Sequence, residues 1–146
     1  MRVSTIIDAP PRVVWEAISD IGSHVEWMRD AEAIRFTSER TSGVGTTFDC
    51  DTRVGPIRLL DRMEATSWVP GREMGVRHVG LVTGDGVFRL RRTMRGRTRF
   101  TWTERLTFPW WLGGRIGALV GSIPLRLIWR ANLRRLKHLI ESAPPA

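Results

Sequence analysis

Val87-Phe-Arg-Leu-Arg-Arg-Thr-Met-Arg-Gly-Arg-Thr-Arg-Phe-Thr-Trp102 alternates apolar and polar residues on both sides of a glycine. Period two marks strands with one buried face, and a glycine between two such runs marks a hairpin. Directly opposed residues share a face, so core-facing Phe88 and Leu90 belong opposite Trp102 and Phe100. That register leaves a three-residue loop, Met94-Arg95-Gly96, with glycine where such loops need a left-handed residue. It also sets Arg91 opposite Arg99 on the outer face, with Arg89 and Arg97 close by. Like charges opposed across strands destabilise, so this basic patch needs an explanation.

Outward from the hairpin, period two extends from about Ala33 to Phe108. Breaks are expected at Thr41-Ser-Gly-Val-Gly45, Gly55-Pro56, Pro70-Gly71, Gly84-Asp-Gly86 and Arg95-Gly96, which makes six successive strands in an antiparallel meander. Before them, residues 2–8 read as a strand, and Pro10 and Pro11 suit the start of a helix. Val14, Ala17, Ile18 and Ile21 repeat at helical spacing, and Gly22 closes that helix. Ser23-His-Val-Glu26 reads as a capping box that opens a second short helix carrying Trp27 and Met28. After Phe108-Pro-Trp-Trp111 the period is helical to about Glu141. Ile116, Leu119, Val120, Ile123 and Leu127 make one stripe; Trp129, Leu133, Leu136 and Ile140 make a second, and Pro124 is expected to bend or break the helix between them.

The chain has 146 residues, 42% hydrophobic and 26% charged, with 14 Gly and 8 Pro, which fits a single globular domain rather than disorder. That domain is expected over 1–142, with 143–146 as a frayed tail. A single cysteine, Cys50, excludes a disulfide framework and a multi-cysteine zinc site and is expected to pack as a small hydrophobe. The absence of a secretory pattern makes the cytoplasm the expected compartment. Arg115 and Arg126 interrupt residues 106–129, leaving too short an uncharged run to span a bilayer. His24, His78 and His138 show no ligand-pair spacing, so no metal is expected. A phosphate loop and a nucleophile elbow are also missing. The net charge of +8 rests almost wholly on arginine, Lys137 being the only lysine. It favours anionic partners in general.

Strand, two short helices, six-stranded meander, long C-terminal helix: this order resembles the helix-grip fold of the START-like, or SRPBCC, superfamily of polyketide cyclase/dehydrase-like and lipid-transfer-like proteins. The similarity covers the whole chain. It is carried by Ile7-Asp-Ala-Pro10 with Val14-Trp15, Asp20 with Trp27, Pro70-Gly-Arg72, Arg97-Thr-Arg-Phe-Thr-Trp-Thr-Glu104 and Asn132–Glu141. The resemblance implies an α+β fold in which a curved antiparallel seven-stranded sheet wraps around the long helix. It also implies an apolar cavity between the two, a small hydrophobic ligand such as a lipid or polyketide, and no cofactor. Catalysis, in a minority of such proteins, would be that of a cyclase, aromatase or dehydratase.

Alternation supplies the candidate lining: Phe48, Met63, Phe88 and Trp102 from strands, Trp27 from the second short helix, Ile116 and Val120 from the long one. Asp61, His78, Arg92 and Glu104 break the apolar pattern of the inward faces. Buried charges are costly unless paired, so these four should neighbour each other or sit at the cavity mouth. One reading makes them a ligand handle, with His78 and Glu104 moving protons and Arg92 polarising a carbonyl or anchoring an acidic head. The other pairs Arg92 with Glu104 and lets the period slip at Asp61 and His78. Arg126, Arg130, Arg134 and His138 form a basic stripe that suits either a solvated helix end or an anionic membrane, with Trp110 and Trp111 as interfacial aromatics. Thr93, Thr101 and Thr103 stand between the sheet arginines where nucleic-acid binding would want aromatics, so no nucleic-acid partner is expected. A third function class is an interaction module whose basic sheet face meets an acidic partner.

Overall fold

β1 (Arg2–Ile7) leads into α1 (Pro11–Ser19) and a 3₁₀ helix (Ile21–Glu26) before the chain enters six strands in succession. These are β2 (Ala31–Phe36), β3 (Thr47–Val54), β4 (Ile57–Val69), β5 (Glu73–Val79), β6 (Thr83–Arg92) and β7 (Thr98–Thr107), followed by α2 (Gly114–Glu141). The computed structural model describes residues 1–143, apart from the side chains of Leu112 and of residues 115–122. The expected tail, apart from Ala143, and the side chains of Ile116, Leu119 and Val120 fall outside the described residues.

All neighbouring strands are antiparallel, and the spatial order β1-β7-β6-β5-β4-β3-β2 makes one sheet of seven. The two short helical segments carry the chain from one edge to the other. The β6–β7 hairpin has the register expected from its alternation: Phe88 faces Trp102, Leu90 faces Phe100, and Arg91 faces Arg99. Gly96 takes the left-handed conformation at φ 68°, and Arg95 joins it at φ 67°. Thr93 N–H donates to the Arg97 carbonyl and closes the loop.

Burial explains why both long apolar faces form helices. Val14 and Ile18 of α1 and Trp129, Leu133, Leu136 and Ile140 of α2 sit in the same core as Val3, Ile7 and Phe100 of the sheet. Lys137 fastens the end of α2, its Nζ donating to the Ile6 carbonyl at 2.7 Å and to Glu141 Oε1 at 2.6 Å.

Four local readings change. Gly84-Asp-Gly86 is not a turn: it lies inside β6, and the chain reverses at residues 80–82. Glycine is required there because β7 presses close. A Cβ on Gly84 would sit 1.8 Å from the Arg105 carbonyl oxygen, and one on Gly86 would sit 2.9 Å from Glu104 Oε1. The capping box is not formed, since Ser23 lies inside the 3₁₀ helix and its hydroxyl donates to the Asp20 carbonyl at 2.7 Å. Gly22 likewise continues that helix instead of ending α1. Finally, α2 runs through Pro124 as one helix. Its buried stripe therefore keeps one phase and extends back to half-buried Leu125 and Ile128, leaving Ile123 and Leu127 exposed.

The glycines supply a stability test. Gly84→Ala should lower the urea midpoint far more than Gly71→Ala. The latter, at φ 76° with nothing within 4 Å, costs only the left-handed penalty of about 1–2 kcal/mol. Equal losses at the two sites would contradict the close approach of β7 to β6.

Candidate functional site

Inward residues of β6 are Gly84, Gly86, Phe88 and Leu90, which divides the strand into an empty half and a filled half. Phe88 packs edge-on against Trp102, with ring centroids 5.2 Å apart, and Trp102 stacks on Trp129 of α2 at 4.8 Å. Over the two glycines no side chain rises from β6. His78 of β5 stands opposite Gly84 and Glu104 of β7 opposite Gly86, so the two reach towards each other across the gap. Asp61 of β4 completes the group from the other side, two residues along from Met63, the partner of His78.

The geometry is that of a carboxylate, an imidazole and a second carboxylate. His78 Nδ1 lies 2.9 Å from both oxygens of Asp61, so Nδ1 carries the proton and donates to that carboxylate. His78 Nε2 faces Glu104 Oε2 at 3.4 Å, close enough for charge attraction without completing a hydrogen bond. Trp102 Nε1–H holds the other oxygen, Oε1, at 3.0 Å. Burial alone would lower the His78 pKa, but the bond to Asp61 and the adjacent Glu104 reverse this and raise it to about 10. His78 is only 5% exposed and is imidazolium at neutral pH. Asp61 and Glu104 address opposite ring nitrogens and do not converge on one point, and no metal-holding group of three such side chains occurs among the described residues.

This trio lies in the wall of a cavity of about 140 Å³ between the sheet and α2, open to solvent at one end. Phe48, Met63, Phe88 and Trp102 line it as expected, together with Asp61, His78 and Glu104. Cys50 lines it too, and burial pushes its thiol up to about 11, so it packs as an inert neutral group. The half-buried lining residues Val54, Leu59, Leu106, Phe108 and Leu125 mark the open end, beside the β3–β4 and β5–β6 turns.

Two candidates are placed elsewhere. Arg92 is exposed at the far end of β6, opposite Thr98, roughly 20 Å along the strand from the partner of Glu104. It neither lines the cavity nor pairs with Glu104. Trp27 is buried behind the wall against His24, Phe88 and Trp102, with ring centroids 5.2–6.1 Å away, and does not line the space.

Asp30 and His24 line the cavity without having been expected there. Both precede β2, where alternation gives no signal. Asn132, fully buried on α2, donates from Nδ2 to Asp30 Oδ1 at 2.7 Å. Its own Oδ1 accepts from Arg29 N–H and Arg135 Nη1. Burial raises the Asp30 pKa, the Asn132 bond opposes this, and the charge of Glu104 adds to the rise. His24 Nε2–H donates to the Ile18 carbonyl at 2.7 Å; burial lowers its pKa to about 4, so it stays neutral. On the outer face, Arg2, Arg72, Arg89, Arg91 and Arg99 surround a shallow groove in which only Glu73 carries negative charge.

A sheet gripping one long helix, with a cavity between them, defines a helix-grip protein. The sequence matches the model of the polyketide cyclase / dehydrase and lipid transport family over residues 1–141, and the chain belongs to that family. Its fold is similar to that of TTHA0849 from Thermus thermophilus, with TM-score 0.77, 16% identity and 99% of each chain covered. It is also similar to the Zhui aromatase/cyclase from Streptomyces sp. R1128, with TM-score 0.75, 15% identity, and 97% of this chain and 92% of that one covered. A further match is the di-domain aromatase/cyclase StfQ of the steffimycin biosynthetic pathway, with TM-score 0.77 and 14% identity; 97% of this chain covers 50% of that one. No curated protein matches the sequence. No helix among the described residues is long and apolar enough to cross a membrane.

The two histidines pull stability in opposite directions. His78 is raised from 6.5 to about 10, so its contribution is complete below 6.5 and is lost as pH climbs towards 10. His24 is lowered to about 4, so its contribution is complete above 6.5 and is lost as pH falls towards 4. Urea midpoints should therefore peak near pH 6.5. His78→Gln should flatten the alkaline arm, and an unchanged arm would refute the ion trio.

Proposed function

We propose that this protein binds an apolar, carbonyl-bearing chain in its cavity and moves protons on it, as a cyclase or dehydratase does. The observation that carries this reading is the Asp61–His78–Glu104 trio inside an otherwise apolar cavity. Taking each ion out of water costs several kcal/mol, a cost that passive containment of a hydrophobic ligand does not require. Family membership and the fold likeness to two aromatase/cyclases support the same reading.

The dehydration of a β-hydroxy ketone illustrates the roles. The Glu104 carboxylate accepts the proton on the carbon between the carbonyl and the carbinol, and the electron pair forms the new carbon–carbon double bond. The carbinol C–O bond breaks, and His78 Nε2–H protonates the departing hydroxyl, which leaves as water. The proton on Glu104 then returns to Nε2 across the 3.4 Å gap, restoring both groups. Asp61 holds the ring in place through Nδ1 throughout.

A β-hydroxy aryl ketone incubated with the protein should yield the conjugated enone, followed by its ultraviolet absorbance. His78→Gln and Glu104→Gln should each reduce kcat by about a hundredfold or more, whereas Arg92→Met should leave it unchanged. Absence of turnover, or full activity in His78→Gln, would remove the catalytic reading.

A second reading, transfer of a hydrophobic ligand, is favoured by the surface beside the mouth. Trp110 is 87% exposed and Ile123 71%, and Arg126, Arg130 and Arg134 stand exposed along the same helix. Indoles and aliphatics beside arginines suit an anionic bilayer, each basic residue near the surface contributing about 1 kcal/mol. Phosphatidylglycerol vesicles should bind the protein in a salt-sensitive manner and phosphatidylcholine vesicles should not. Glutamine at all three arginines should abolish binding; salt-independent association would leave the stripe as a solvated helix face.

A further inference from the structure

The ionisable groups facing the cavity are unbalanced. Three carboxylates, Asp30, Asp61 and Glu104, share one cation, His78, and no arginine or lysine lies among the described lining residues. Arg92, the side chain best suited to hold an acidic head, is at the distant end of β6. Thr52 Oγ1–H is taken up by Cys50 Sγ and Trp102 Nε1–H by Glu104 Oε1, which leaves one buried lining N–H without a partner. His78 Nε2 is buried, faces the gap over Gly84 and Gly86, and has no hydrogen-bond partner. A hydroxyl placed in that gap would accept from Nε2–H and donate to a carboxylate, satisfying both. An ammonium would satisfy carboxylates alone. A carboxylate or phosphate would bring a further negative charge against the carboxylates already there, and like charges in contact repel.

We propose that the cavity selects apolar ligands whose polar head donates hydrogen bonds, a neutral hydroxyl or an ammonium, and rejects those ending in carboxylate or phosphate. The selection reverses what an arginine-anchored pocket would do. It also narrows the family's ligands for this chain, because free fatty acids and phospholipid headgroups pointing inward are refused. The proposal rests on the cavity being the ligand site, and it holds whether the bound molecule is converted or only carried.

The test uses the full chain and a neutral fluorescent probe, N-phenylnaphthylamine, which brightens in apolar surroundings. Naphthol, naphthylmethylammonium and naphthoate share one skeleton and differ only in the head, and each is titrated against the bound probe near neutral pH. Naphthol and naphthylmethylammonium should displace it, and naphthoate should be roughly a hundredfold weaker. Asp30→Asn and Glu104→Gln, each checked for folding by circular dichroism, should each narrow that gap about tenfold; Arg92→Met should leave it unchanged. If the probe and all three naphthalenes fail to bind, the cavity is not a ligand site, and both readings fall. If the probe binds and naphthoate displaces it as well as naphthol does, the cavity reading stands and the selection is overturned. A loss of naphthoate binding in Arg92→Met would overturn it as well, by showing that a cation holds the head.

Discussion

One helix cannot cover the concave face of seven strands. α2 lays its buried stripe, Trp129 to Ile140, over the β1–β7 edge, where Val3, Ile7 and Phe100 complete a dense core. The inner faces of β3 to β6 lie beyond its reach, and the uncovered part becomes the cavity. Close packing is the rule in protein interiors, so such a space persists only where the surrounding elements are fastened independently. Here the sheet is fastened by its ladders, and α2 by Lys137 on Ile6 and by Asn132 on Asp30.

The uncovered region sets the terms for its polar groups. Buried as they are, His78 and Glu104 must be satisfied by another side chain or by a ligand. Asp61 and His78 satisfy each other at 2.9 Å, and Trp102 serves one oxygen of Glu104. What remains is one oxygen of Glu104 facing one N–H of His78 at 3.4 Å, a pair close enough to share charge and loose enough to admit a ligand atom. The two glycines make this possible, because a Cβ on Gly86 would sit 2.9 Å from Glu104 Oε1 and one on Gly84 would force β7 away at the Arg105 carbonyl. The site is thus built as much by missing side chains on β6 as by those present on β4, β5 and β7.

Most of the fold was legible because alternation and helical spacing report directly on which face is buried. The hairpin register followed from four core residues and one glycine. Alternation is silent on depth along a strand, however, and this is why Arg92 was grouped with Glu104: both point inward by count, yet they sit at opposite ends of the hairpin. Gly84-Asp-Gly86 looked like a turn because close backbone approach and chain reversal demand the same residue. Pro124 suggested two helical phases, but an unbroken helix keeps one, so Leu125 and Ile128 take the buried side in place of Ile123 and Leu127. Asp30 carried no signal at all. It stands in a connection without periodicity, and its partner Asn132 lies 102 residues away.

Order along the cavity constrains what can occupy it. From the mouth inward come Leu106 and Phe108, then the strip where Glu104 and His78 meet over the glycines, then Phe88 and Trp102. The charged strip therefore lies between two apolar zones. A molecule with its polar group at the very tip would have to leave that group short of the aromatic floor and the floor unfilled, losing about 25 cal/mol for each square ångström of apolar surface not buried. A molecule with apolar skeleton on both sides of an internal hydroxyl or carbonyl fills both zones while its polar atom meets the strip. Chains functionalised along their length fill both zones, whereas a molecule with a single hydrogen-bonding head meets the strip and fills only one. The spacing of the glycines, more than cavity size, decides between them.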